Sequence, residues 1–505
     1  MQRADSLLAD FLKFNPESKQ PLHKQLCQQL RQCILEGTLL PGSVLPASRQ
    51  LSKETGLSRN TVIAAYEQLI EEGLLESKHG SGTKVAENLA QFQNKSLVEK
   101  DGVDTKVSVA SRMDALPSVP SSVVLFGGNA LLAGFPDLKE FPTKVWNQAF
   151  SHASNRLSSL LPELDIFAGH VPLRKEIAQY LRVSRGVKAS YEQVFITAGA
   201  SQSLQLITRA LTNVGDVVWL EDPVYSVAKM AFQIADLEIS PVNVDGQGAN
   251  PETLPETSPS LIYLTTSYQY PLGYTMPPER RAKWLNVAAD NGAWIIEDDY
   301  DGEFRYSGNP IPALAGFKDN RQTLYMGTFS KTLSPSLRMS YLVVPPDLVD
   351  SLRKIYPMLG NESSVITQAA LAELIGGGVF FRHVKNMRNL YGGRRMALEE
   401  SLAGILGLNT RFTENQNAGL HIPVSLSVPD QAVAGQGVAA GLGCTPISGC
   451  FHSDHYQNGL LLGFTARNSE TNRRAIEVLA RVLEKDKATI GNMAVSAPHT
   501  RRVDV

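Results

Sequence analysis

From residue 121 onward, short runs of apolar residues alternate with longer segments of helical periodicity, and this alternation limits the possible fold more than any other feature of the chain. The apolar runs lie at 194–196, 217–220, 261–264, 294–296, 324–326 and 341–344. Runs this short and this apolar are typical of strands buried on both faces, as in a parallel sheet that helices cover. The alternation therefore predicts an α/β domain with a mostly parallel sheet.

The end of this domain follows a different pattern. The chain turns helical from about Leu371 and continues as a smaller α+β segment, with a strand at 460–464 and a closing helix at 470–485. We expect the last twenty residues to be a loose tail, since chain ends are poorly ordered unless they are packed.

Residues 20–86 form a separate compact unit. Its predicted elements are a helix over 21–40, a helix over about 47–55 closed by Gly56, a third helix after the N-cap Ser58, a strand at 74–77, a tight turn at 80–82 and a strand at 83–86. The order of helix, helix, turn, helix and hairpin predicts a winged helix.

Residues 87–120 are polar, rich in Lys, Asp, Asn, Ser and Pro, and lack a sustained period. We interpret them as a linker with one helical turn. A chain of 505 residues is too long for one core. The sequence therefore predicts two domains, a winged helix over 20–86 and an α/β domain over 121–485.

The overall composition excludes little by itself. The net charge of -2 gives no general signal for nucleic acid, so a DNA-binding prediction depends on a local motif. There is no run of 18 apolar residues and the first ten residues carry charges, so we expect neither a membrane span nor a secretory signal, and a cytoplasmic location. The four cysteines form no CxxC, and no metal site is expected.

The third N-terminal helix opens with polar residues, and its apolar face begins one turn later. A DNA recognition helix needs this arrangement, because its first side chains must reach base edges in the major groove. Arg59 and Asn60 are the predicted base readers, for guanine and adenine. The other predicted contacts are Ser48, Arg49, Lys53, Ser58 and Thr61, and in the hairpin Lys78, Gly80, Ser81 and Gly82. A small helical domain with a polar face is the alternative interpretation.

A second group of residues follows the predicted strands of the α/β domain. Lys331 lies just after the strand at 324–326, and Thr328, Ser330 and Arg338 around it offer hydroxyls and a guanidinium for a phosphate. A Schiff-base lysine needs such an anchor, because its cofactor must be held at both ends. Taken alone, a Ser-Lys pair after a strand is usually a surface feature.

Three other segments supply further candidates. Asp298 and Tyr300 end the strand at 294–296, where a carboxylate can keep a pyridine nitrogen protonated. The turn at 197–201 includes Ala200 and Ser201 and precedes a helix, so its N–H groups suit a phosphate. Tyr225 is a candidate for stacking on the ring and Gln269 for a hydrogen bond to it, although a lone tyrosine is more often part of a core.

These ordered motifs resemble known families. The stretches 41–49, 57–62 and 80–83 look like the GntR-type winged helix, and the set from 197–201 to Arg338 is similar to fold-type I aminotransferases. Joined in one chain over roughly 20–485, they resemble the MocR family of GntR regulators. The resemblance implies pyridoxal phosphate held on Lys331 as an internal aldimine, a head-to-tail homodimer, DNA as a partner and a small effector.

The sequence departs from the family pattern in two places. Tyr268 and Leu272 stand where the family usually has His and Thr or Ser. Leu461 stands about where aminotransferases of this fold have an arginine for the substrate carboxylate, and Gly449 lies near a second such position. Arg467 is the remaining candidate for that role. Without this clamp we expect poor turnover of ordinary α-amino acids, with at most weak half-transamination.

Three functions stay open on sequence grounds. The first is a transcription regulator whose DNA binding responds to pyridoxal phosphate, an amine or an amino acid at Lys331. The second is an active aminotransferase with an accessory winged helix. The third is a cofactor-binding scaffold whose N-terminal domain contacts proteins, which a lack of salt-sensitive DNA affinity would indicate.

Overall fold

The computed structural model describes residues 12–15, 18, 20–78, 82–88, 110–113, 116, 129–308, 311–317, 321–360, 363–408, 417–454, 456–486 and 490–492. Contacts within the chain group it into two compact units, Met1–Ser108 and Val109–Val505. The division falls inside the predicted linker, where Ser111–Met113 forms one turn of 3-10 helix. Each unit is described by itself below.

The N-terminal unit contains three helices and a hairpin. These are α1 (Leu22–Leu35), α2 (Ser48–Thr55), α3 (Arg59–Glu71), β1 (Leu75–Lys78) and β2 (Gly82–Val85). The strands pair antiparallel with Leu75 opposite Val85. One face of each helix supplies a core that includes Leu26, Leu51 and Val62, all fully buried. The predicted winged-helix order is confirmed.

The first helix is shorter than the predicted span of 21–40. It ends at Leu35 because Gly37 adopts a φ of 78°, which breaks the helical path, and the amide of Leu39 then bonds the carbonyl of Cys33. Gly56, with a φ of 73°, closes α2 as predicted.

The large unit is built on an eight-stranded sheet. Its strands are β5 (Val194–Thr197), β6 (Val217–Asp222), β7 (Glu238–Asp245), β8 (Gly248–Ala249), β9 (Leu261–Leu264), β10 (Trp294–Asp299), β11 (Thr323–Thr328) and β12 (Ser340–Val343), and a separate short pair is β3 (Leu164–Asp165) with β4 (Gly169–His170). The order is β5-β12-β11-β10-β9-β6-β7-β8. The five central strands, β7, β6, β9, β10 and β11, are parallel to one another. The strand β12 runs antiparallel to its neighbours β11 and β5, and β8 runs antiparallel to β7.

All six predicted strands are present, and the sheet is mixed at its edges. The strand β7 was not predicted, because its sequence contains Pro241 and alternates exposed with buried residues. In the central strands, successive residues enter different cores: Val194 and Ile196 pack in one cluster and Phe195 in another. The sheet is therefore covered on both faces, as the apolar runs indicated.

Helices cover this sheet and lead into the smaller C-terminal part. They are α4 (Thr143–Asn155), α5 (Leu157–Leu160), α6 (Val171–Ser184), α7 (Ala200–Leu211), α8 (Ser226–Ile234), α9 (Pro278–Asn291), α10 (Val349–Leu359), α11 (Val365–Gly376) and α12 (Val379–Leu406). The helical stretch thus begins at Val349, earlier than the predicted Leu371. In the described part of the chain no single helix is long and apolar enough to span a membrane, and α11 with α12 passes that test only across a bend of 76°.

The C-terminal part forms its own sheet and core. Its elements are β13 (His421–Leu426), α13 (Asp430–Ala439), β14 (Thr445–Pro446), β15 (Gly459–Gly463), α14 (Ser469–Lys485) and β16 (Ile490–Asn492), with strand order β14-β15-β13-β16. The predicted loose tail is wrong as far as Asn492, because β16 pairs with β13. The rest of the predicted tail lies outside the described residues.

Candidate cofactor site and DNA-binding helix

A cavity of about 350 Å³ opens where β10 and β11 end and α7 begins. Nine of the ten predicted cofactor residues line it: Ala200, Ser201, Tyr225, Asp298, Tyr300, Thr328, Ser330, Lys331 and Arg338. They converge because the carboxyl ends of neighbouring parallel strands meet at one edge of a sheet. The topology therefore brings together residues that are far apart in the sequence.

Gln269, the tenth predicted residue, is fully buried and does not line the cavity. Its side-chain amide donates to the carbonyls of Pro223 at 2.8 Å and Tyr270 at 2.6 Å, and its oxygen accepts from the Leu272 amide at 3.1 Å. These bonds hold the 265–274 loop in shape, and the cofactor contact expected of Gln269 stays a prediction.

Lys331 lies at the centre of the cavity wall. Its Nζ donates a hydrogen bond of 2.7 Å to the carbonyl of Gly134. Burial lowers the pKa of Lys331, while the carboxylates of Asp301 and Asp298 act in the opposite direction. A lowered pKa makes the neutral, nucleophilic amine more available at neutral pH.

Asp298 lies on β10 with its carboxylate almost fully buried. Burial raises its pKa to about 6, while a hydrogen bond of 2.5 Å from the Tyr263 hydroxyl favours the ionised form. Asp298 is thus ionised above that pH, in a place where a positive ring nitrogen would compensate the burial of its charge.

Two tyrosines face the same space. The hydroxyl of Tyr300 is buried and has no hydrogen-bond partner among the described residues. The ring of Tyr225 lies edge-on to Tyr270 with the ring centroids 5.4 Å apart, and burial raises the pKa of Tyr225 to about 12. Both side chains therefore stay protonated at neutral pH, and the unpaired hydroxyl of Tyr300 is available to a ligand oxygen.

The part of the cavity wall around Gly199 and Thr328 is polar and carries a cation. Gly199, with a φ of 133°, leads into α7, and a Cβ at this position would lie 3.7 Å from the guanidinium of Arg338. Thr328 accepts hydrogen bonds from the amide of Ser330 at 3.1 Å and from the hydroxyl of Ser340 at 2.8 Å. A helix N-terminus, hydroxyls and an arginine form a cradle that fits a phosphate group.

Several residues of the cavity wall were missed by sequence analysis, and two of them contribute polar side chains whose positions depend on the sheets. Tyr263 lies on β9 beside β10, and only the strand order reveals that its hydroxyl reaches Asp298. His421 lines the cavity from the separate C-terminal sheet, and no local sequence pattern connects it with Lys331.

The predicted recognition helix is α3. Ser58 caps it: its Oγ accepts from the Thr61 amide at 3.1 Å and bonds the Thr61 hydroxyl at 2.8 Å. Arg59 and Asn60 are exposed at the first turn, and the opposite face is buried. The hydroxyl of Tyr66 donates to the Pro46 carbonyl at 2.9 Å and ties the helix to its domain.

The other predicted DNA contacts are placed as follows. Arg49 and Gly82 are exposed, whereas Ser48 and Thr61 are half-buried. Gly80, Ser81 and the side chain of Lys78 lie outside the described residues. The Ser58 hydroxyl is engaged in capping, so its expected DNA contact competes with the cap.

Comparison with known proteins agrees with this geometry. The family of bacterial regulatory proteins of the gntR type matches residues 22–85, and aminotransferase class I and II matches residues 133–428. Among solved structures, a kynurenine aminotransferase from Pyrococcus horikoshii superposes with a TM-score of 0.68 at 24% identity, covering 76% of this chain and 98% of that one. A multiple substrate aminotransferase from Thermococcus profundus gives 0.66 at 25%, covering 75% and 98%. The large unit therefore has the fold-type I aminotransferase fold.

Curated relatives match nearly the whole length. The probable rhizopine catabolism regulatory protein MocR of Rhizobium meliloti is 34% identical over 95% of this chain and 97% of its own. The pyridoxine biosynthesis transcriptional regulator PdxR of Corynebacterium glutamicum is 32% identical over 92% and 96%. The shared order of a DNA-binding helix domain and an aminotransferase-like domain places the chain in the MocR family of GntR-type, DNA-binding transcription regulators.

Proposed function

We propose that this regulator binds pyridoxal phosphate at Lys331 and that the state of this site, through the cofactor itself or an amine that engages it, sets the affinity for DNA. The observation that carries the proposal is the convergence of Lys331, Asp298, Tyr300 and the Arg338 cradle on one cavity. When bound, pyridoxal phosphate supplies an electron-accepting ring and a carbonyl carbon that links covalently to primary amines.

Each residue has a defined task in this proposal. Arg338 and the N-terminus of α7 hold the phosphate dianion. The carboxylate of Asp298 holds a proton on the pyridine nitrogen, and the hydroxyl of Tyr300 donates to the ring oxygen. Tyr225 packs against the ring, and Lys331 provides the attachment point.

The DNA-binding task falls to α3, with Arg59 and Asn60 as base readers and Arg49 on the phosphates. We propose that two copies form a head-to-tail homodimer, as the family resemblance implies, so that two copies of α3 read two half-sites. A ligand changes DNA affinity only if it binds two arrangements of this dimer differently. A regulator of this kind acts where the DNA is, which supports a cytoplasmic location.

Two measurements on the purified protein test the proposal. Incubation with pyridoxal phosphate is expected to give an absorption band at the edge of the visible range that survives gel filtration, and Lys331→Ala removes it. DNA from upstream of its own gene is expected to bind with an affinity that falls steeply with salt. A wild type that stays colourless, or that does not bind this DNA with or without cofactor, overturns the proposal.

An aminotransferase is the second candidate function, because the cavity keeps a complete set of Lys331, Asp298 and Tyr300. Steady multiple turnover with an amino donor and a keto acid would favour it. A single half-reaction that then stops would favour the regulator.

A further inference from the structure

Part of the cavity wall is apolar, and this part bears on which molecule the site accepts. Ala133 and Tyr270 line the cavity and pack against a cluster that includes Leu272, Ile447 and Leu461. We propose, building on the proposed function, that the effector is a primary amine with a hydroxyl group and no carboxylate, that is, an amino alcohol.

Leu461 is fully buried on β15, opposite Pro423 on β13. His421 pairs with Gly463, so Leu461 and His421 are diagonal neighbours on the same face of the C-terminal sheet, a separation that a long side chain can cross. Because His421 lines the cavity, a cationic side chain at position 461 could reach the ligand, but the leucine offers only apolar surface.

Each cation that lines the described part of the cavity already has a task in the proposed function. Among the residues described around the cavity, these cations are Lys331, the proposed attachment point, and Arg338 beside Gly199, the proposed phosphate anchor. A ligand carboxylate against the wall formed by Ala133 and Tyr270 would lose its water and find no further positive charge, which strongly disfavours binding. An alcohol in the same place carries no charge to desolvate.

His421 adds a positive signal for a hydroxyl. Its Nε2 lies 3.2 Å from the carbonyl oxygen of Pro271, which can only accept, so the ring proton is on Nε2. The Nδ1 atom is then an acceptor, and it is buried with no partner in the described part of the protein. Burial lowers the pKa of His421 to about 4, so the ring is neutral at physiological pH. An unpaired lone pair accepts from a ligand O–H and repels a carboxylate.

Aromatic rings shape the remaining space. Tyr270 lies between Tyr225, Tyr300 and His421, with ring centroids 5.4, 5.9 and 5.7 Å away. These rings favour an effector with a compact, apolar carbon skeleton. The hydroxyl of Tyr300 remains a donor to the cofactor. The chemistry of the cavity thus matches a small amino alcohol.

A matched pair of ligands tests the proposal on the full-length, cofactor-loaded protein. L-alaninol and L-alanine differ only in a hydroxymethyl group in place of the carboxylate, and their binding is measured by calorimetry and by the change in cofactor absorbance. We expect alaninol to bind at least about tenfold more tightly, equivalent to about 1.4 kcal/mol. Alanine binding equally or more tightly overturns the inference. Binding of neither by a coloured, DNA-binding protein overturns it too but leaves the proposed function intact, whereas a colourless wild type overturns both.

Two variants sharpen this test. Leu461→Arg is expected to raise the affinity for alanine about tenfold or more and to reverse the preference, while the apolar control Leu461→Met keeps the wild-type order. His421→Phe removes the acceptor and is expected to abolish the advantage of alaninol over isopropylamine, which lacks the hydroxyl. Absorbance and melting temperature show whether each variant is folded. If Leu461→Arg does not fold, the wild-type pair and His421→Phe still decide.

Discussion

The two sites of this protein are built in opposite ways. The proposed recognition helix α3 presents Arg59 and Asn60 at its exposed first turn, and the residues that support them lie within one short stretch of sequence. The cavity at Lys331 collects residues from Ala133 to His421, and all of them except Arg338 are buried or half-buried. A large, rigid partner such as DNA can be read by exposed side chains on one helix, whereas a small ligand needs an enclosure that only the tertiary fold supplies.

This difference has an energetic side. Burial shifts the pKa values of ionisable groups in the cavity away from their values in water: the pKa of Asp298 is raised and that of Lys331 is lowered. Such groups destabilise the fold when no ligand compensates them. Substitutions in the two sites should therefore change stability and binding in different proportions.

The largest effect is expected for Asp298→Asn in cofactor-free protein. The pKa of Asp298 is raised from 3.8 to about 6, so the native state holds its proton more tightly and stability falls as pH rises between these values. The neutral side chain of the asparagine variant does not ionise, so its free energy of unfolding does not fall in this way. Above pH 6 the variant should be more stable than wild type by up to about 3 kcal/mol. Urea unfolding from pH 4 to pH 7 measures the difference. A constant difference across this range would contradict the prediction.

The next effect concerns the phosphate cradle. Arg338→Met removes the cation beside Gly199. The binding free energy of pyridoxal phosphate should become less favourable by about 2–3 kcal/mol, since hydrogen bonds to charged groups contribute this much. Cofactor titration followed by absorbance measures it. Arg182→Met, on the exposed face of α6, is the matched control and should not change cofactor affinity. Equal affinities for the two variants would exclude Arg338 as the anchor.

Arg59→Ala tests the other site and should weaken specific DNA binding by about 1–3 kcal/mol without changing the absorption of the cofactor. Fluorescence anisotropy with labelled operator DNA measures the loss. Arg31→Gln is a suitable control, because the Arg31 guanidinium pairs with Glu72 just beyond the last turn of α3, at the end away from Ser58. If both variants bind DNA as wild type does, α3 is not the recognition helix.

The smallest effect is expected for Ser58→Ala, which removes the N-cap of α3 and should destabilise the N-terminal unit by about 1 kcal/mol. Ser58→Asp keeps a capping oxygen and should restore stability, yet its charge should weaken DNA binding. Hydrogen exchange of the α3 amides reports the first effect and anisotropy the second. Loss of stability in both variants would show that the hydroxyl does more than cap the helix.

The strands with continuous apolar runs were predictable because they are buried on both faces. The strand β7 was not, since Pro241 and a half-exposed pattern give it the look of a loop. The early end of α1 depends on the left-handed conformation of Gly37, which its sequence permits but does not require.

The same contrast holds for the sites. The cap by Ser58 and the exposure of Arg59 follow from neighbouring residues, so local sequence predicts them. The role of Gln269 in its loop and the arrival of His421 at the cavity depend on contacts between distant segments. Such contacts cannot be deduced from spacing, although the motifs around Lys331 locate most of the site.

The central claim, that the state of the Lys331 site controls DNA affinity, is tested most directly by one titration. Anisotropy of labelled upstream DNA is measured with wild type and with Lys331→Ala, each with and without saturating pyridoxal phosphate at fixed salt. The proposal predicts that the cofactor changes the Kd of wild type at least about threefold and leaves that of Lys331→Ala unchanged. If the cofactor binds but the Kd of wild type is the same in both states, and stays so when an amine is added, the claim is contradicted.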